Sequence, residues 1–268
     1  MLKGKNALVT GSTRGIGEAI ARALAADGCN VMMNGFGDRN EIERKRASIA
    51  DDTGAAVKFH GADLADEDQI DDLTQYAEDE FGSVDILVNN AVIRYFHSID
   101  DFDRKNWRHA LAVNVTAPFL LTQNMLPGMR ARGWGRIVNF SSVLGLAARS
   151  GRADYITSKT AMLGLTRATA AETRGEKNIT CNALCPGSVL TPNTEIKITE
   201  LAEEKSISFE VAKDEYLRRR GQKTGYIEPA RVAGLVAFLC QEAASDITGA
   251  AIPIDRGRSA TWLEGLGE

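Results

Sequence analysis

Tyr155 and Lys159 stand four residues apart, Ser142 lies thirteen residues before the tyrosine, and a glycine-rich turn runs from Gly11 to Gly17. Neighbours four apart share a helix face, so on a helix the phenol and the ammonium would emerge together. A free tyrosine keeps its proton to a pKa of about 10, and a nearby fixed cation favours the phenolate, so this lysine would make the tyrosine a usable base near neutrality. The turn Thr10-Gly11-Ser12-Thr13-Arg14-Gly15-Ile16-Gly17 follows a strand-like segment and opens a helix-like one. There, glycines permit close backbone approach and the helix N-terminus attracts pyrophosphate oxygens. The set points to a nicotinamide site with its proton-transfer machinery. Taken singly, each residue has a plainer alternative: an ordinary turn for the glycines, a turn cap for Ser142, a packed aromatic for Tyr155.

Such side chains need a scaffold that brings them to one edge. The sequence predicts strands at Asn6–Thr10, Asn30–Asn34, Val57–His60, Ile86–Asn89, Arg136–Phe140, Ile179–Leu184 and Ala250–Ile254. Helices are predicted at Ile16–Asp27, Asn40–Asp52, Glu67–Phe81, Trp107–Met129, Ala153–Thr173 and Pro229–Gln241. This alternation implies an α/β fold, a seven-stranded parallel sheet with helices on both faces. A length of 268 residues suits one domain spanning 1–268. Between Pro186 and Tyr226 the rhythm fails, and a polar stretch with helical character from Glu200 to Arg220 follows a strand end. Ligands of open α/β sheets bind there, so residues 188–226 read as a substrate lid, with an oligomer contact or a surface helix as the alternative.

Composition sets outer limits. A net charge of −4 gives no basic field, so nucleic acid and anionic membranes are not expected partners. Cys29, Cys181, Cys185 and Cys240 read as small core residues, and His60, His97 and His109 show no ligand-spaced pair, so no metal is expected. No apolar run reaches the roughly 20 residues of a membrane helix, and Leu2-Lys3-Gly4-Lys5 leads at once into the first strand, which predicts a soluble cytoplasmic protein.

The combined motifs resemble the short-chain dehydrogenase/reductase family over practically the whole chain. The spacing Gly11, Gly15, Gly17 matches that family's cofactor turn, Asn89-Asn90-Ala91 its second motif, Asn114, Ser142, Tyr155 and Lys159 its catalytic tetrad, and Pro186-Gly187 its cofactor-clamping turn. The resemblance implies a Rossmann fold. It also implies that Tyr155 is the acid/base, that Ser142 orients the substrate oxygen, that Lys159 holds the nicotinamide ribose, and that Asn114 anchors a water, although Asn114 alone could simply bond backbone. Dinucleotide contacts are implied at Gly11, Thr13, Arg14, Gly15, Ile16, Gly17, Phe36, Asp63, Leu64, Asn90, Ala91, Tyr155, Lys159, Pro186, Gly187 and Val189. Two departures stand out. Val92 replaces the glycine that usually ends the second motif, and Arg256 interrupts the usual Asp-Gly-Gly near the C-terminus.

NAD is the expected cofactor, with NADP as the alternative. The segment Asn34-Gly35-Phe36-Gly37-Asp38 resembles that of bacterial D-3-hydroxybutyrate dehydrogenases, which use NAD, whereas Arg14 could pair with a 2′-phosphate. That subgroup holds its carboxylate with a glutamine, a histidine and a lysine. Here Arg94, Leu144 and Arg152 take those positions, and Ser188 replaces an apolar residue. The substrate set is therefore Arg94, Ser142, Leu144, Arg152, Tyr155 and Ser188, and it suits a small anionic hydroxy or keto compound, since guanidinium matches carboxylate, sulfonate or phosphate. The alternative for Arg94, Arg152 and Arg149 is a solvated loop role or a contact with another subunit, and for Arg149 that is the preferred reading. An acidic or sulfonated sugar or polyol is an alternative substrate, and an NADPH-dependent 3-oxoacyl reductase an alternative activity. The resemblance further implies a homotetramer built on the two long helices.

Overall fold

The computed structural model describes residues 2–220, 222 and 225–260. Seven short runs of aliphatic residues suit strands buried on both faces. They are β1 (Asn6–Val9), β2 (Asn30–Asn34), β3 (Val57–His60), β4 (Ile86–Asn89), β5 (Gly135–Phe140), β6 (Ile179–Pro186) and β7 (Ala251–Ile254). They pair in parallel in the order β3-β2-β1-β4-β5-β6-β7. The helices are α1 (Gly15–Ala26), α2 (Arg39–Thr53), α3 (Glu67–Phe81), α4 (Arg104–Leu111), α5 (Ala117–Arg132), α6 (Ala153–Glu172), α7 (Pro192–Lys205), α8 (Phe209–Arg218) and α9 (Pro229–Cys240).

Alternate strand residues feed opposite faces. Ala7, Val9, Val31 and Val88 pack with Ile20 and Leu24 of α1 and Val232 and Val236 of α9. Leu8, Met32 and Leu87 point the other way, against Leu73 of α3 and Leu121 and Met125 of α5. The winding reverses between β1 and β4, and the C-terminal strand ends there open a crevice, the usual ligand position in such sheets. The expected single-domain Rossmann architecture is thus present.

Two elements differ from the sequence reading. The helix expected over Trp107–Met129 begins at Arg104 and is interrupted by a π-turn at Ala112–Thr116. Asn114 sits inside that turn, and such turns recur at functional sites because the extra residue re-aims a side chain. The helical stretch expected over Glu200–Arg220 is two helices, α7 and α8, separated at Ser206, whose φ of 52° is left-handed. Ile198, Leu201, Ala202, Ala212, Leu217 and Tyr226 give this hairpin a small core of its own. Its ends are drawn together by a parallel bridge between Val189 and Ile227. Residues 221, 223 and 224 of the expected lid lie outside the described residues, as do 1 and 261–268 of the expected domain.

The two sequence departures have distinct outcomes. Val92 stays out of the left-handed region, so the loop after β4 carries no left-handed strain there. Arg256 adopts φ 57°, the conformation the missing glycine would take freely, and its Nη2 donates to the Tyr226 carbonyl at 3.1 Å. Both Arg256→Ala and Arg256→Gly lose that bond, but only alanine keeps the left-handed penalty. Urea unfolding should therefore find the alanine variant less stable than the glycine variant by about 1 kcal/mol. The reverse order would mean that the backbone strain is relieved elsewhere.

Candidate active site

A cleft of about 520 Å³ at the strand ends is lined by every residue expected to touch the dinucleotide, from Gly11 to Gly17 on one wall to Pro186, Gly187 and Val189 on the other. The turn is tight. A Cβ on Gly17 would lie 2.2 Å from the Gly11 carbonyl oxygen, and one on Gly11 would lie 2.8 Å from Ala91 Cα. Asn90 Nδ2 donates to the carbonyls of Thr10 (2.9 Å) and Gly11 (3.0 Å), while Thr10 Oγ1 accepts from the backbone N–H of Asn90 (3.0 Å) and Ala91 (3.1 Å). The glycine turn and the β4 loop are thereby one rigid unit.

Helices α2, α3 and α4 each begin on an aspartate that accepts their first N–H groups, Asp38, Asp66 and Asp103, whereas α1 begins on Arg14 with no side-chain cap. Its open N–H groups face the cleft beside three glycines, which fits a bound pyrophosphate. The residues therefore suit a dinucleotide. At the far end, Thr13 Oγ1 donates to the Phe36 carbonyl (2.9 Å), Phe36 is 64% exposed, and Asp38 is occupied in capping α2, so no carboxylate is presented at the end of β2.

The tetrad residues converge from β5, α6 and the π-turn. Asn114 is buried; its Nδ2 donates to the Ile93 carbonyl (2.8 Å) and Ser158 Oγ (3.2 Å), and its Oδ1 accepts from the Ile93 N–H (2.9 Å). It ties the β4 loop to α6. Ser142 Oγ accepts from the Leu144 N–H at 3.1 Å. Lys159 Nζ donates to the Phe140 carbonyl at 2.6 Å and lies 5.7 Å from the Tyr155 ring centre.

Burial pushes the Lys159 pKa down to about 7, with the Arg94 charge adding to the shift. A lysine whose folded pKa lies below its unfolded value adds stability in full above the unfolded value, and that contribution fades as pH falls through the folded value. Without dinucleotide, stability should therefore rise by up to about 1.4 kcal/mol per pH unit from pH 7 towards 8.5. Above pH 9 the raised thiol pKa values of Cys29 and Cys181, both pushed to about 12 by burial, act in the opposite sense. Urea titrations of the wild type and Lys159→Met across pH 7–8.5 check this; equal slopes would refute it.

A second compartment, about 530 Å³, adjoins the cleft and is lined by all six expected substrate residues, Arg94, Ser142, Leu144, Arg152, Tyr155 and Ser188. Ser142, Tyr155, Arg94 and Arg220 line both spaces. Arg152 stacks on the rings of Phe96 (4.1 Å) and Tyr155 (4.9 Å), and its Nε is buried without a hydrogen-bond partner. Burial first, and then the Arg94 charge, push its pKa down. Arg149, read from sequence as a solvated loop residue, is exposed yet also lines this space, together with Arg219, Arg220 and Arg258. Sequence reasoning missed the last three; the basic run Arg218-Arg219-Arg220 at the end of α8 was the available signal. Arg220 Nη2 donates to Tyr216 Oη at 2.9 Å, and Arg219 is paired with Glu215 at 2.7 Å.

A family model described as short chain dehydrogenase matches residues 5–201. The chain belongs to that family. Short-chain dehydrogenases of this kind are NAD(P)-dependent alcohol dehydrogenases and ketoreductases, and the tetrad pattern and fold are shared here. The D-beta-hydroxybutyrate dehydrogenase of Cupriavidus necator is 41% identical over 257 residues, covering 96% of this chain and 98% of its own length. That of Rhizobium meliloti is 37% identical over 256 residues, covering 96% and 99%. Among solved structures, L-sorbose reductase of Gluconobacter frateurii, complexed with NADPH and L-sorbose, superposes with a TM-score of 0.90 at 27% identity, covering 97% of this chain and 98% of that one.

Proposed function

We propose that this short-chain dehydrogenase interconverts a secondary alcohol and a ketone on a small anionic compound of the hydroxy-acid type, using NAD. The observation carrying this reading is that Ser142 and Tyr155 line both the dinucleotide cleft and the arginine-lined compartment, so a hydroxyl held beside them meets both. A bound nicotinamide would supply the hydride chemistry. Tyr155 takes the hydroxyl proton in oxidation and returns it in reduction, and Ser142 orients the same oxygen. Lys159 would hold the ribose of a bound dinucleotide and, when protonated, favours the Tyr155 phenolate. Arg94 and Arg152 hold the substrate's negative charge.

The hydroxybutyrate dehydrogenases among the relatives support the hydroxy-acid class. Phe36 at the end of β2 favours NAD; the exposed Arg14, which has no carboxylate partner among the described residues, favours NADP as the second reading. Exposed Phe119 on α5 supports assembly through the long helices, and light scattering should read the mass of four chains. The deciding experiment is initial-rate measurement with NAD and NADP against hydroxy acids, acidic sugars and hydroxysulfonates beside neutral alcohols of matched size. Turnover confined to anionic members with NAD is expected. Turnover confined to neutral alcohols would overturn the anionic reading, and dominant NADP use would favour a biosynthetic reductase.

A further inference from the structure

Asp154 directly precedes Tyr155 in the first turn of α6, and it is wholly buried. A carboxylate withdrawn from water is costly unless charges and hydrogen bonds answer it. Here it is answered from three sides. The N-terminus of α6 has no side-chain cap and favours a negative group, the charge of Asp154 favours the cationic form of Arg152, and Oδ2 accepts the Tyr95 N–H at 2.8 Å. Oδ1 is buried with no hydrogen-bond partner among the described residues. The hydrogen bond that holds this side chain therefore reaches out of its own helix, to the loop after β4.

That loop carries Arg94. Its guanidinium makes no hydrogen bond or salt bridge among the described residues, so its aim follows from where the backbone puts it. The backbone is held on both sides. Asn114 grips Ile93 through its N–H (2.9 Å) and its carbonyl (2.8 Å), and Asp154 grips Tyr95. Phe96 follows, and Arg152 stacks on its ring at 4.1 Å. One N–H thus governs the placing of both guanidinium groups assigned to the substrate's charge. Tyr95 has a second hold, from its hydroxyl to His109 Nδ1 at 2.9 Å, but that pair is exposed and water competes for it.

We propose that Asp154 is a positioning residue for the substrate's anion: by holding the Tyr95 N–H it fixes Arg94 and Phe96, and through Phe96 also Arg152, at the compartment beside Tyr155. This deepens the proposed function and rests on its anionic substrate. Charge alone predicts the opposite effect. A carboxylate behind two guanidinium groups repels the substrate's own negative charge, so by Coulomb interaction its removal would tighten anion binding. Positioning acts the other way, because donors that must first be ordered give up affinity to that ordering. The sign of the change in a variant therefore separates the two roles.

The test is the kinetics of Asp154→Ala and Asp154→Asn with the hydroxy acid that the wild type turns over. Alanine removes the acceptor and should raise KM about tenfold, the scale of one hydrogen bond to a charged group, with kcat lowered by less than about threefold. Asparagine keeps an oxygen for the Tyr95 N–H and should return KM to the wild-type value or below it. An unchanged or lower KM in both variants would overturn the proposal, and so would an equal rise in both, which would assign the effect to the lost charge. Should no compound turn over, calorimetric titration of butyrate into the protein with dinucleotide present gives the same comparison as affinities. Turnover confined to neutral alcohols, or a wild type that binds no anion, refutes the anionic substrate and this proposal with it. Equal anion binding by the wild type and Asp154→Ala refutes only the role of Asp154. Hydrogen exchange across residues 91–98 reads the tether with no substrate present. The Tyr95 N–H should exchange about tenfold faster in Asp154→Ala and near the wild-type rate in Asp154→Asn, with the Ile93 N–H, held by Asn114, as the unchanged reference. Equal Tyr95 exchange in all three proteins would overturn the proposal. Circular dichroism melting of both variants keeps a folding defect separate from a lost contact.

Discussion

Tyr155→Phe is expected to lower kcat by about 10²- to 10⁴-fold, the span of a lost general acid/base. The substitution is narrow. Phenylalanine keeps the ring on which Arg152 stacks at 4.9 Å and above which Lys159 Nζ lies at 5.7 Å, so packing of the compartment survives while the proton carrier disappears. Dinucleotide affinity, followed by fluorescence titration, should stay within a few-fold of wild type. The glycine turn and the β4 loop are braced by Thr10 and Asn90, which the phenol does not touch. A variant within tenfold of wild-type kcat would remove Tyr155 from the chemistry.

Arg94→Met and Arg152→Met should each raise KM for the anionic substrate by about ten- to a hundredfold, since a hydrogen bond to a charged group contributes about 1.5–3 kcal/mol. The two should then part in kcat. Arg152 also braces the Tyr155 ring, so its loss lowers kcat as well, while Arg94→Met acts mainly on KM. The double variant should lose less than the product of the singles, because both guanidinium groups serve one anion. Arg94 also pushes the Lys159 pKa down, so Arg94→Met should move the pH dependence governed by Lys159 to higher pH. Unchanged KM in both singles would return these arginines to structural duty.

Much of the fold and of the site is legible in the amino-acid sequence. Strands such as Ile86–Asn89 are marked by short aliphatic runs between turn residues, and the glycine spacing marks its own turn because those glycines are needed where a Cβ would strike backbone. The six expected substrate positions reach one compartment because motif spacing fixes them to strand ends and to α6. What escapes is tertiary in origin. Arg220 and Arg258 come from α8's end and the segment after β7, far in sequence from Arg94, and no periodicity links them. The depressed Lys159 pKa follows from burial, which a sequence does not display residue by residue. The π-turn is hidden because the apolar pattern runs on through it.

That turn also makes chain length itself a determinant of the site. One residue advances an α-helix by about 100°, so the extra residue in Ala112–Thr116 sets α4 and α5 in different angular phase. Removing a single residue there would allow one regular helix from Arg104 to Arg132, turning α4 by about a quarter of a revolution relative to α5. His109 would swing away from Tyr95, whose hydroxyl it meets at 2.9 Å, and Asn114 would lose its aim at Ile93 and Ser158. Point substitutions are absorbed locally in such a helix, whereas a deletion of one codon here would misalign Asn114 while leaving composition and hydropathy almost untouched.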